Sequence, residues 1–138
     1  MLNASYISPD LRFEVDGANA ATNFVEDQVA YSHPHADSAW DANRLQLLWD
    51  SVVLSAEFAI AFYKQATVAA VPYGVELDLK GPGRNVTDAE YGNVMAAFPR
   101  LNFISGVNQT FIALCVQKRN STYGKWLSAS LFCGSCKD

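Results

Sequence analysis

The chain has 138 residues, half of them hydrophobic and 17% charged, which excludes a disordered polymer and leaves room for one domain, 1–138, with a core of its own. The net charge of −4 comes with no basic run, so nucleic acid is excluded as a partner. The longest apolar segment is interrupted by Gln46, Asp50, Ser51, Ser55 and Glu57, which reads as a buried helix rather than a membrane span.

In chain order, residues 11–15 alternate between polar and apolar and predict a short strand ended by Asp16-Gly17. Ala20 to Tyr31 predicts a helix with Phe24, Val25 and Val29 on its apolar face. A loop follows over 32–41, with Asp41 or Ser38 as N-cap of the next element. Leu45 to Phe62 contains no Gly or Pro and is rich in Leu and Ala, so it predicts one long helix that ends near Lys64. Its apolar residues cover almost every side, as in a helix enclosed by other elements. Thr67 to Leu79 then alternates and predicts a strand, stopped by Gly81-Pro82-Gly83. Asn93 to Ile104 reads as a strand with a bulge or edge at Pro99. Thr110 to Lys118 and Lys125 to Phe132 read as two more, completing an antiparallel meander.

This order predicts an α+β fold in which an antiparallel β-sheet wraps a long central helix. A sheet of that shape covers one side of the helix, so a homodimer or higher homo-oligomer is expected. A cystatin-like or cone-shaped α+β fold shares the layout without requiring a second subunit.

Glu57 is the leading chemical candidate, because an acid inside an apolar helix is costly unless paired or hydrogen-bonded. Asp50 stands seven residues earlier, almost two turns, which would put both carboxylates on one face about 10 Å apart. Ser51 lies beside that stripe. Such a pair could share acid and base roles, or mark a solvated or subunit-facing stripe. His33, His35 and Asp37 flank Pro34 and offer too few ligands for a metal site; no metal or cofactor is expected. Gly81-Pro82-Gly83-Arg84 reads first as a turn. Trp40, Trp49 and Trp126 read as packing residues.

Cys115, Cys133 and Cys136 make an odd count, which argues against a disulfide-stapled scaffold. The Cys133-x-x-Cys136 pair reads as reduced thiols, with a tail disulfide as the alternative. The start Met1-Leu2-Asn3-Ala4-Ser5 lacks the pattern of a secretory signal, so the expected compartment is cytoplasmic. Four Asn-x-Ser/Thr sites, at Asn3, Asn85, Asn108 and Asn120, leave a trimmed, secreted chain open.

From Trp49 to Phe132 the pattern resembles the hotdog-fold acyl-CoA thioesterases. Ser55-Ala56-Glu57-Phe58-Ala59 stands where that family carries its helix acid. Val75 to Pro82 matches its strand and turn, Tyr91 to Ala96 a strand start, and Thr110 to Val116 with Gly124 to Ser130 its final hairpin. The resemblance implies a thioester hydrolase acting on an acyl-CoA or acyl-carrier thioester. Glu57 would be nucleophile or base, Asp50 and Ser51 would assist, and Trp49 and Arg84 would contact substrate. The family's His-Gly-Gly is replaced by Leu48-Trp49-Asp50, whose bulk would crowd the approach of substrate to the backbone. That departure motivates a second reading, a non-catalytic domain for apolar-ligand binding or assembly. The segment His33-Pro34-His35-Ala36-Asp37 resembles part of the hotdog enoyl-CoA hydratase motif and implies a third.

Overall fold

Helix, and no strand, forms among the described residues of the computed structural model, which are 8–32, 39–83 and 85–118. They are 73% helical, too much for a hotdog, cystatin-like or other α+β fold, and the wrapped-helix architecture is corrected on that ground. The chain divides into two compact units, one formed by Glu14–Thr87 and the other by the described residues before and after it.

Helix α1, Phe13–Ser32, opens with Glu14 and Asp16 in its first turn, where carboxylates favour the positive end of the helix dipole. Asp16-Gly17 therefore lies inside a helix rather than ending a strand. The expected strand over 11–15 is a turn, in which the Leu11 amide donates to Ser8 Oγ at 3.1 Å, followed by the start of α1. The helix expected over Ala20–Tyr31 is present within α1. A Cβ on Gly17 would lie 3.5 Å from Val52 Cγ1, so the glycine sits where α1 and the following helix approach each other.

Helix α2, Ala42–Val53, starts at one of the two expected caps: the Asp41 carboxylate accepts from the Arg44 amide at 2.8 Å. It stops much earlier than expected. The Leu54 amide still bonds the Asp50 carbonyl, but that of Ser55 bonds Val52, a tighter turn that ends the α-helix. Helix α3, Phe58–Ala61, is one short turn. The long central rod is thus two helices joined by a bend. Ser51 adds to the weakness of this end: its hydroxyl donates back to the Leu47 carbonyl at 2.6 Å, a bond that bends helices, and Val52 and Val53 are β-branched.

Helix α4, Ala66–Lys80, replaces the strand expected over Thr67–Leu79 and packs on α2 and α3. The alternation at 75–79 is real but short. The longer pattern Val68, Pro72, Val75, Leu79 has helical spacing, and Val68 and Pro72 are its buried members. Pro72 carries no N–H, so it leaves one rung of the helical ladder unmade. Gly81 stops α4 at φ 84°, ψ −168°, a conformation open to glycine and costly for other residues. Phe58 and Phe62 stack at 6.1 Å, and Tyr73 meets Phe62 edge-on at 6.4 Å. The Lys80 ammonium lies 5.6 Å from the Phe58 ring centre and bonds Glu76 at 3.0 Å.

Helices α5, Asp88–Ala97, and α6, Phe103–Gln117, belong to the other unit. They occupy the strands expected over Asn93–Ile104 and Thr110–Lys118. Pro99 stands between the two helices, where it cannot continue α5, and Leu101 takes a left-handed φ of 48°. The Arg100 guanidinium lies 5.3 Å from the Tyr91 ring centre and 5.7 Å from that of Phe103, which ties the end of α5 to the start of α6. Phe13 meets Phe111 edge-on at 6.0 Å. The expected strand over Lys125–Phe132 lies outside the described residues.

The buried core is thin. Among the described residues the buried apolar ones are Ala18, Ala61, Val68, Pro72 and Leu114, while large apolar side chains from Leu11 to Val116 stay exposed.

Candidate functional site

The residues picked out from the sequence fall mainly around the bend that follows α2. Asp50, on the last turns of α2, accepts from Gln46 Nε2 at 2.8 Å and pairs with Lys64 Nζ at 2.7 Å. The Lys64 hydrogen bond is the main reason its pKa lies below the ordinary 3.8; Gln46 adds to it, and burial opposes it. A carboxylate held in its ionised form is a weak proton acceptor. The arrangement therefore suits a clamp across the chain reversal better than a general base.

Glu57 is half-buried at the N-cap of α3, with φ −99° and ψ 66° and no side-chain capping bond. Since α2 ends at Val53, Asp50 and Glu57 are not on one continuous helix, and the two-turn spacing expected between them does not apply. Ser51 is buried, and its hydroxyl is committed to the Leu47 carbonyl. Trp49 donates its indole N–H to Asn19 Oδ1 at 2.9 Å, joining α2 to α1; this is the packing role with a polar handle expected of a half-buried tryptophan. Arg84, His33, His35, Asp37, Cys133 and Cys136 lie outside the described residues. Cys115, half-buried on α6, is in no disulfide. No group of His, Cys, Asp and Glu that could hold a metal ion occurs among the described residues. None of their helices is long and apolar enough to cross a membrane.

A second feature, which the sequence reading passed over, is the surface of α6. Its fifteen residues, FISGVNQTFIALCVQ, contain no charged side chain. Phe103, Gly106, Val107, Thr110 and Phe111 recur at spacings of three and four and line a shallow groove of about 330 Å³. Ile104, Ile112 and Val116 are 55%, 47% and 65% exposed on other sides of the same helix. The space where a Cβ on Gly106 would stand is open to 4 Å. The missed signal was the i, i+4, i+8 run Phe103, Val107, Phe111 in a stretch without charge; the β-branched residues around Thr110–Val116 drew the reading to strand instead.

No family model matches this chain, and neither a curated protein nor a solved structure matches it. The thioesterase and hydratase readings rested on a hotdog sheet, and the helical structure removes that basis.

Proposed function

We propose that the chain is a non-catalytic helical assembly module that forms a homodimer through the α6 face. The observation that carries this reading is the uncharged, apolar surface of α6, with Ile104, Ile112 and Val116 left in solvent. Exposed apolar surface of this kind marks interaction sites. A second copy is the occupant favoured by charge. The chain carries −4, yet two α6 faces meet without like-charge repulsion, and nothing on the face selects a charged partner. A two-fold axis needs a self-complementary patch, and the uncharged side of α6 that carries Ile104, Ile112 and Val116 meets that need. Phe98 and Leu101, 74% and 92% exposed in the same unit, add apolar area. They are needed, since α6 is about 22 Å long and a stable interface hides about 800 Å² per partner. The groove is lined by one helix alone. It is too open to enclose a small ligand, as ligand pockets do.

Light scattering on the full chain at tens of micromolar tests this. The expected mass is twice 15.1 kDa, falling to that of one chain in Ile104→Lys/Ile112→Lys, with the helical circular dichroism unchanged. A wild-type chain that stays monomeric, or a double variant that dimerises as well as wild type, overturns the reading.

A further inference from the structure

We infer that Asn85 is an acceptor for an N-linked glycan. The chain has nine asparagines and sixteen serines and threonines in 138 residues, so chance places about one asparagine two residues before a Ser or Thr. Four occur. Two of them, Asn85 and Asn108, lie among the described residues, and both are exposed.

Asn85 has the better geometry. It stands in the connection between α4 and α5, outside any helix, and Thr87 two residues on is exposed as well. Only its backbone is held: its amide donates to the Tyr73 hydroxyl at 3.4 Å, and the next amide, of Val86, donates to the Gly83 carbonyl at 3.2 Å. The side chain projects from a pinned turn, so a large hydrophilic group can be carried there without disturbing α4 or α5. Asn108 is different. It lies inside α6, four residues from both Ile104 and Ile112, so a glycan on it would cover the face proposed for pairing.

The chemistry is a group transfer from a lipid-pyrophosphate-linked oligosaccharide, catalysed by the transferase of the secretory lumen. The Asn85 side-chain nitrogen forms a bond to the anomeric carbon. The bond from that carbon to the phosphate oxygen breaks, the lipid pyrophosphate leaves, and the amide gives up one proton. The Thr87 hydroxyl is the group the transferase reads at the second position after the acceptor. This assignment puts the chain on the secretory route instead of in the cytoplasm.

The test uses the full chain, purified from its native cells and also secreted from cultured eukaryotic cells behind a cleavable leader. Peptide N-glycosidase treatment in ¹⁸O-water should convert Asn85 to labelled Asp in both preparations, as read by peptide mass spectrometry. Asn85→Gln and Thr87→Ala should each remove one glycan step from the intact mass, and Thr87→Ser should keep it. An unmodified Asn85 in the native-cell protein overturns the assignment, as does a glycan found at Asn108 alone or a mass ladder unchanged by Asn85→Gln. Dimer formation is measured separately on unglycosylated protein, so failure of one proposal leaves the other standing.

Discussion

Replacing Asp50 by Asn removes the charge from the clamp while keeping its shape. In the wild type, Asp50 faces Lys64 at 2.7 Å and Gln46 at 2.8 Å. An exposed ion pair contributes about 0–1 kcal/mol. The Asp50 side chain is better covered, at 14% exposure, but Lys64 at 43% keeps solvent screening. The pair and its hydrogen bond are therefore set at about 1 kcal/mol. Urea unfolding followed by circular dichroism reads this as a lower midpoint at unchanged slope. The pH dependence has a definite sign. The pKa of folded Asp50 lies below 3.8, so its contribution is present above that value and is lost as pH falls through the folded pKa. The gap between wild type and Asp50→Asn should be constant from pH 7 down to about 5, and should close below the ordinary carboxylate range. Lys64→Met should remove the same energy, and the double variant should lose little more than either single one. A gap equally wide at pH 7 and at pH 3, or single losses that simply add, would refute the clamp.

Three further substitutions probe the helices. Leu114, 3% exposed on α6, should cost about 2–4 kcal/mol when cut to Ala, read in the same urea titration. Asp41→Ala removes the α2 cap and should cost about 1 kcal/mol, whereas Asp41→Ser should restore most of it. Gly81→Ala forces a side chain into φ 84°, ψ −168° and should lower stability by about 1–3 kcal/mol; Gly83→Ala, two residues on, serves as the control.

Local start and stop signals were legible in places, while the start of α1 and the end of α2 were not. Asp41, one of two caps offered for α2, and the break at Gly81, though it was expected to end a strand, were readable because caps and glycine breaks act through their own backbone and neighbouring amides; the helix around Ala20–Tyr31 was readable from its apolar face. The strands failed for a different reason. Over five residues, as in Val75 to Leu79, period two and period 3.6 cannot be separated, and the alternation there was extended over Thr67–Leu79 although Val68, Pro72, Val75 and Leu79 follow helical spacing. At 93–104 the alanines Ala96 and Ala97 favoured helix, but Pro99 was taken as a sheet-edge marker when it separates two helices. Of the candidate site, Asp50 was found and Glu57 was placed wrongly relative to it, since nothing local announces a bend after Val53. The α6 face was missed altogether: a stretch without charge leaves only the spacing of its aromatic residues as a signal.

The bend at 54–57 decides what the apolar middle of the chain becomes. An unbroken helix over 45–62 would extend about 27 Å and would need covering on every side. With the bend, α4 comes back onto α2 and α3, and Lys64 reaches Asp50. Phe62 reaches Tyr73. Most of the residues that looked like the lining of an enclosed rod thereby acquire neighbours from within residues 14–87. Their own unit accounts for most of the hydrophobicity of the middle segment, in which Ile60 stays 55% exposed. No such account exists for α6, which is richer in apolar residues than α2 yet leaves Ile104, Ile112 and Val116 in water. Burying a side chain of that size stabilises by about 1.5–3 kcal/mol, so covering these three is worth several kcal/mol before the cost of association. This difference between the two segments is why pairing is assigned to α6 and not to the segment whose composition first suggested it.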